Sequence, residues 1–187
     1  MNKYSNLLLV VIVGMMACQP SNSIESITTQ ELGKGIKQDS LFLGLKFGIT
    51  QKEFFDHCWE LNKQQIVSHG GDNLSVKYSF KDADDLDVDF NFYPDYDDGL
   101  AFKYNARFNY VAWAPWNKHL WADKLLMNIQ PVLEKWYGGN EFVQIKINDK
   151  LKFYKIDGNR QIVLEIKDER FVQATFIDLI HYPPNFK

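Results

Sequence analysis

Three consecutive segments alternate strictly between apolar and polar residues, and this alternation constrains the fold more than any other feature of the chain. The segments cover residues 74–81, 86–92 and 100–109. A repeat of two places every second side chain on the same face of a β-strand. Short acidic turns join the segments, as expected for antiparallel hairpins. The pattern therefore predicts a sheet with one covered face and one face toward solvent.

Two helices are predicted from capping residues and from apolar spacing. A short strand-like run at 41–47 is followed by a capping box of Thr50 and Glu53, which starts a helix at Gln51. One apolar face of this helix is predicted from Phe54, Phe55, Cys58 and Leu61, and a glycine pair at 70–71 is expected to stop it. Apolar residues then recur at helical spacing between Asn117, a candidate N-cap, and the glycine pair at 138–139. Pro131 is expected to bend or split this second helix.

The order of elements predicts an α+β fold made of two similar units. Each unit is a helix followed by antiparallel strands, and the second unit has strands over 142–147, 151–156, 160–167 and 171–178. We expect a single domain over 41–187, with halves at about 41–112 and 113–187. The helices either pack on one face of one curved antiparallel sheet, or the halves form two α/β units side by side. A hydrophobic content of 45% supports a substantial core.

The N-terminus has the layout of an export signal over residues 1–17. Met15-Met16-Ala17-Cys18 resembles the lipobox of bacterial lipoproteins, which implies cleavage before Cys18 and acylation of that residue. The resemblance implies a membrane anchor in the cell envelope, in the outer membrane by analogy with proteobacterial sorting. An ordinary cleaved signal is the alternative. The polar segment 18–40 is predicted to be a flexible tether, and Cys58 then has no cysteine partner.

One segment carries a family resemblance. "LGLKFGITQKEFF", residues 43–55, resembles the opening of small envelope lipoproteins of the BamE/SmpA type. The repeated order of helix and strands is similar to the β-lactamase inhibitory protein fold. The whole chain resembles uncharacterised lipoproteins of Bacteroidota. Both named families act by binding proteins, so the resemblance implies an envelope protein partner.

Four aromatic residues crowd the loop before the second helix: Tyr110, Trp113, Trp116 and Trp121. Such clusters anchor protein interfaces or stack on sugar rings, and burial against the sheet explains them equally well. Three interpretations therefore stay open: a structural plug, a protein-contact site and a glycan platform.

Charge and motif spacing exclude several classes of function. A net charge of −3 without a basic patch argues against nucleic acid as a partner. The acidic turns lack the spacing of an EF-hand, and the four histidines are scattered: His57, His69, His119 and His181. No serine or cysteine lies in a recognised catalytic motif. We therefore expect no metal, no cofactor and no enzymatic activity.

Overall fold

The structure is a computed structural model that describes residues 23–71 and 75–183. Within these residues there are three α-helices: α1 (Ile24–Gly33), α2 (Gln51–Lys63) and α3 (Ala122–Tyr137). The strands of the first half are β1 (Ile49–Thr50), β2 (Val67–His69), β3 (Val76–Lys81), β4 (Asp87–Asp97) and β5 (Leu100–Tyr110). Those of the second half are β6 (Val143–Ile147), β7 (Lys150–Asp157), β8 (Arg160–Ile166) and β9 (Val172–Asp178).

All nine described strands belong to one antiparallel sheet. Eight of them follow the order β2-β3-β4-β5-β9-β8-β7-β6, and β1 pairs with one end of β5. The halves meet where β5 pairs with β9, over a register that runs from Lys103 opposite Ile177 to Phe108 opposite Val172. The predicted α+β fold is therefore confirmed, in the arrangement with one sheet rather than two separate units.

One face of this sheet carries the core, and we call it the helix face. Its central residues are fully buried and continue across the junction of the halves: Val88, Phe90, Phe92, Tyr104, Ala106, Phe108, Val172, Ala174 and Phe176. Phe90 and Phe108 are opposite each other across the β4–β5 pair, with stacked rings 4.5 Å apart. Phe42 packs on this surface, with its ring centroid 4.6 Å from Phe90 and 5.1 Å from Phe176. One aromatic cluster therefore spans both halves.

Helices α2 and α3 cover the helix face. Phe54 of α2 is fully buried, with its ring 6.5 Å from Phe92. From α3, Leu125, Ile129 and Leu133 join the same core. These three residues are spaced by four, so they lie on one side of the helix. The opposite face of the sheet has the polar partners of the alternation, as predicted.

Several local predictions are wrong at element ends. Residues 41–47, predicted to be strand-like, form a 3₁₀ turn at Phe42–Gly44. Helix α2 begins at Gln51 with the predicted capping box, but it ends at Lys63, before the glycine pair. Helix α3 begins at Ala122 with Trp121 as its N-cap residue, not with Asn117. Pro131 does not split α3, which is continuous to Tyr137.

Residues 23–40 are not the flexible tether that the sequence predicts. Helix α1 begins after Ser23, whose hydroxyl accepts a hydrogen bond from the Ser26 backbone, and it contacts β7. The buried Glu31 carboxylate accepts hydrogen bonds from the Asn140 side chain at 2.8 Å and from the Gly158 backbone at 3.3 Å. These two partners are more than 100 residues away in the chain, so only the folded state could reveal the docking of α1. Residues 18–22 lie outside the described residues.

We predict that α1 is protected in hydrogen exchange and that Glu31→Ala removes this protection. The variant leaves the Asn140 and Gly158 donors without their acceptor, at a cost of about 1–3 kcal/mol. Local opening then becomes more frequent, and exchange in residues 24–33 should accelerate by about tenfold or more. Hydrogen exchange measured by mass spectrometry tests this directly.

Glu25→Ala is the matched control, because Glu25 is exposed in the first turn of the same helix. The control should leave exchange in residues 24–33 close to the wild-type rate. Immediate exchange of this segment in the wild type would contradict the docking of α1 and restore the flexible tether.

Candidate functional site

The residues predicted to form an aromatic site lie in very different environments. Cys18, the predicted lipidation site, lies outside the described residues. Tyr110 is at the end of β5 and is only 1% exposed, so its ring belongs to the core. Its hydroxyl donates a hydrogen bond of 2.7 Å to the Asp82 carboxylate. Of the three interpretations left open by the sequence, the structural plug therefore applies to Tyr110.

Asp82 is the centre of a buried polar network between the sheet and α3. One carboxylate oxygen accepts from the Tyr110 hydroxyl and from the Asn128 side chain at 3.1 Å. The other accepts from the backbone of Asp84 and of Leu86, each at 2.9 Å. Burial would raise the pKa of Asp82, but these hydrogen bonds outweigh burial and hold its pKa below the usual value. The network fixes the 82–86 turn against α3.

The two flanking tryptophans are partly covered by cationic side chains. Trp113 is half-buried, its indole nitrogen donates to the Glu169 carbonyl at 3.3 Å, and the Arg170 guanidinium lies 5.3 Å from its ring centroid. Trp121 is also half-buried, with the Lys118 ammonium 5.5 Å from its ring. Cation–π contacts of this kind occupy a ring face. Neither residue therefore offers the open ring on which a sugar stacks.

Trp116 is the exposed member of the predicted cluster. Its side chain is 85% exposed, in the loop between β5 and α3. Among the described residues no aromatic ring contact joins any two of Tyr110, Trp113, Trp116 and Trp121. The four residues are neighbours in sequence but do not form one surface.

Helix α2 presents a different aromatic surface, whose exposure was not predicted from the sequence. Phe55 and Trp59 are four residues apart, and they are 46% and 62% exposed. They border an open groove of about 520 Å³ between α2 and the β2–β3 hairpin, which we call the α2 groove. The side chains that line it are mostly apolar: Phe55, Cys58, Trp59, Val67, Val76 and Tyr93, with Asp56, Asn62, Ser68, His69 and Ser75.

The position of Phe55 explains why the groove was missed. The sequence predicts a single apolar stripe on α2, made of Phe54, Phe55, Cys58 and Leu61. The structure buries Phe54 and Cys58 in the core, whereas Phe55 and Trp59 form a second stripe one residue further around the helix. Successive residues of an α-helix are about 100° apart, so two stripes offset by one residue point in different directions. In the sequence, the available signal was a tryptophan, Trp59, four residues after Phe55 and outside the apolar stripe.

Cys58 lies beneath the α2 groove and is the free cysteine of the described residues. Its side chain is buried, and burial raises the pKa of the thiol to about 12. Because the thiolate is the nucleophilic form, this thiol behaves at neutral pH as a small apolar side chain.

Several carboxylates of the described residues pair with lysines of the same chain. No cluster of three His, Cys, Asp or Glu side chains in residues 23–71 and 75–183 has the geometry of a metal site. The acidic side chains considered for calcium instead meet lysines, with Asp87 2.9 Å from Lys81 and Asp95 2.9 Å from Lys103. In these ion pairs the lysine ammonium groups supply the counter-charge of the carboxylates at the sheet surface.

Comparison with known proteins gives no relative from which a site could be transferred. No protein-family model, curated protein or solved structure matches this chain. The resemblances to envelope lipoproteins therefore stay predictions. Across residues 23–71 and 75–183, none of the helices has the length and apolar character needed to span a bilayer.

We predict that Asp82→Asn destabilises the fold in a pH-dependent way. The amide loses acceptor capacity toward Tyr110 and Asn128, at a cost of about 2 kcal/mol in the free energy of unfolding at pH 7. The pKa of Asp82 is lowered in the folded state, so this stabilisation is complete above the unfolded pKa and is lost as pH falls through the folded pKa. Denaturant titrations of wild type and variant at pH 7 and near pH 2 test both statements.

Asp87→Asn provides the control for the same chemical change at an exposed ion pair. Surface pairs contribute only about 0–1 kcal/mol, so this variant should resemble the wild type at both pH values. An Asp82→Asn penalty that is equally large at low pH would show that the charge of Asp82 does not stabilise the network.

Proposed function

We propose that this chain is a lipid-anchored, non-enzymatic protein of the cell envelope that binds another envelope protein through the α2 groove. The observation that carries the proposal is the exposure of Phe55 and Trp59 beside a groove of about 520 Å³. Exposed aromatic residues around an apolar concavity are typical of the centres of protein interfaces, where tryptophan and tyrosine contribute most of the binding energy. Exposing these two rings to water does not stabilise the folded domain, and exposed apolar patches of this kind mark interaction sites.

Helix α2, which forms one wall of the groove, is fixed at its N-terminus and along its core face. The capping box fixes the start of α2, with the Thr50 backbone donating to the Glu53 carboxylate at 2.7 Å. Phe54 and Cys58 anchor the same helix in the core, so Phe55 and Trp59 are displayed from a fixed backbone. An ordered surface loses little conformational entropy when a partner binds. These features support a preformed docking site.

The anchor is proposed to be Cys18, acylated after cleavage of residues 1–17. Two or more acyl chains hold a protein on a membrane stably, whereas one chain does so only marginally. Because α1 is docked, little chain separates this cysteine from the folded domain. The backbone from Cys18 to Ser23 has five residue steps, so full extension gives at most about 18 Å. A partner would therefore lie in the same membrane or directly beside it.

A carbohydrate-binding role is the second candidate, and Trp116 is the observation that favours it. Its ring is free to stack on a sugar. A glycan platform usually needs further aromatic or polar contacts around the same sugar, and the rings of Trp113 and Trp121 are covered by Arg170 and Lys118. The α2 groove has the larger apolar surface, so protein binding is the better supported function.

We predict that Cys18 carries the lipid. Cells that express the full chain should incorporate radiolabelled palmitate into the wild type and not into Cys18→Ser, and the variant should leave the membrane fraction. Cys58→Ser is the matched control, because the Cys58 thiol is buried and should not be acylated. Palmitate in the Cys18→Ser variant, or an unmodified thiol at Cys18 in mass spectra, would contradict the anchor.

We predict that a photo-crosslinking residue placed at Trp59 of the membrane-anchored chain forms a discrete adduct with another protein. Phe55→Ala in the same chain should abolish the adduct, because truncating an interface aromatic costs about 2 kcal/mol or more. The same crosslinker at Met127 is the control, since Met127 is exposed on α3 and outside the groove.

Other outcomes of this experiment separate the two candidate functions. Equal adducts at positions 59 and 127 would contradict a specific groove. A tryptophan fluorescence response to oligosaccharides that is lost in Trp116→Ala, together with no adduct at position 59, would favour the carbohydrate-binding role.

A further inference from the structure

A second concavity, of about 450 Å³, also borders β3. It lies between the C-terminal end of α3, strand β3 and the segment 38–43. We call it the Arg160 cavity, and it is lined by Gln38, Ser40, Leu41, Phe42, Leu43, Tyr78, Trp136, Tyr137 and Arg160. The volume is in the range of small-molecule sites, which combine apolar walls with a few polar groups. None of these residues lines the α2 groove.

The apolar walls of the Arg160 cavity are largely aromatic. Tyr78 and Trp136 have ring centroids 6.5 Å apart and are tilted by 51°. Trp136 is 38% exposed, so it borders the opening toward solvent. Leu41 and Phe42 are buried and close the inner end. A flat or branched apolar group would pack against the wall that the Tyr78 and Trp136 rings form together.

The polar side of the cavity is Arg160, which is only 3% exposed. Its guanidinium has five N–H donors. One donates to the Ser40 carbonyl at 2.9 Å and one to the Asp157 carboxylate at 3.3 Å, while its Nε has no acceptor among the described residues. The guanidinium also stacks on the Tyr137 ring at 4.3 Å. Nε has almost no accessible surface, so a ligand would be bound by the second N–H of Nη1 or of Nη2, for which no acceptor is found in residues 23–71 and 75–183.

The carboxylate that accepts a hydrogen bond from Arg160 is shared with a second cation. Asp157 is shared between two buried cations, because the Lys155 ammonium lies 2.9 Å from the same carboxylate oxygen. Asp178 is opposite Arg160 in the β8–β9 register, but its carboxylate accepts from the Asn159 side chain and the Ile180 backbone. Buried charges are stable when each is paired. A carboxylate in the cavity would give Arg160 a counter-charge of its own.

We propose that the Arg160 cavity binds a small organic acid, with the carboxylate directed to Arg160 and an aromatic or branched apolar body packed against Tyr78 and Trp136. Arginine is suited to this task because its planar donors match the two oxygens of a carboxylate. The site is independent of the α2 groove, so either assignment can fail without the other.

Isothermal titration calorimetry of the full chain in detergent tests the proposal, with phenylacetate and indole-3-acetate as probes. The corresponding neutral amides are matched in shape and lack the charge. The acids should bind at millimolar concentrations or below, and the amides should bind about tenfold more weakly or worse. Arg160→Gln should weaken acid binding by about tenfold or more and leave amide binding nearly unchanged. Arg170→Gln is the control, because Arg170 stacks on Trp113 outside the cavity.

A second variant keeps the test decisive if Arg160→Gln does not fold. Trp136→Ala removes an aromatic wall at a partly exposed position and should weaken acids and amides alike, while the preference for the acid persists. Equal binding of acids and amides, no binding of any probe at millimolar concentrations, or unchanged acid affinity in Trp136→Ala would each overturn the proposal.

Discussion

The pairing of β5 with β9 is the interaction on which the rest of the structure depends. It joins two units, each a helix followed by antiparallel strands, into one sheet. It also brings Phe108 and Phe176 onto the same face. Phe42 then packs against Phe90 from the first half and Phe176 from the second. Helix α3 contacts β5 from the first half and β8 and β9 from the second, whereas α2 contacts β1 and β2 of the first half. The docking of α3, and with it the Arg160 cavity between the halves, follows from this junction.

Sequence patterns predicted the elements whose formation depends on residues close together in the chain. Strict alternation identified β3, β4 and β5, and the Thr50–Glu53 capping box identified the start of α2. The short strands β1 and β2 were not predicted, because two or three residues are too few to show an alternation. Helix α1 was missed because its docking depends on contacts of Glu31 with Asn140 and Gly158, which are distant in sequence. The order of strands, and the choice between one sheet and two units, also depends on non-local pairing. The alternation within each strand is the same in both arrangements.

The candidate site was harder to predict because exposure in loops and at helix borders has no periodic signal. Tyr110 and Trp116 are six residues apart in one aromatic run, yet one is in the core and the other is in solvent. The surface that we propose for binding lies on α2 and not in that loop, because Phe55 and Trp59 are exposed beside the core stripe. Docked α1 shortens the proposed link to the membrane. Together these features favour a rigid recognition domain held close to its membrane.

Native-state hydrogen exchange over increasing denaturant measures most directly whether the β5–β9 junction makes one cooperative unit. Amides in the central strands β4 and β8 report on the two halves separately. If one core unites them, the slowest amides of both strands should exchange with the same free energy and the same dependence on denaturant. Two distinct free energies, with one half opening while the other stays protected, would contradict the account.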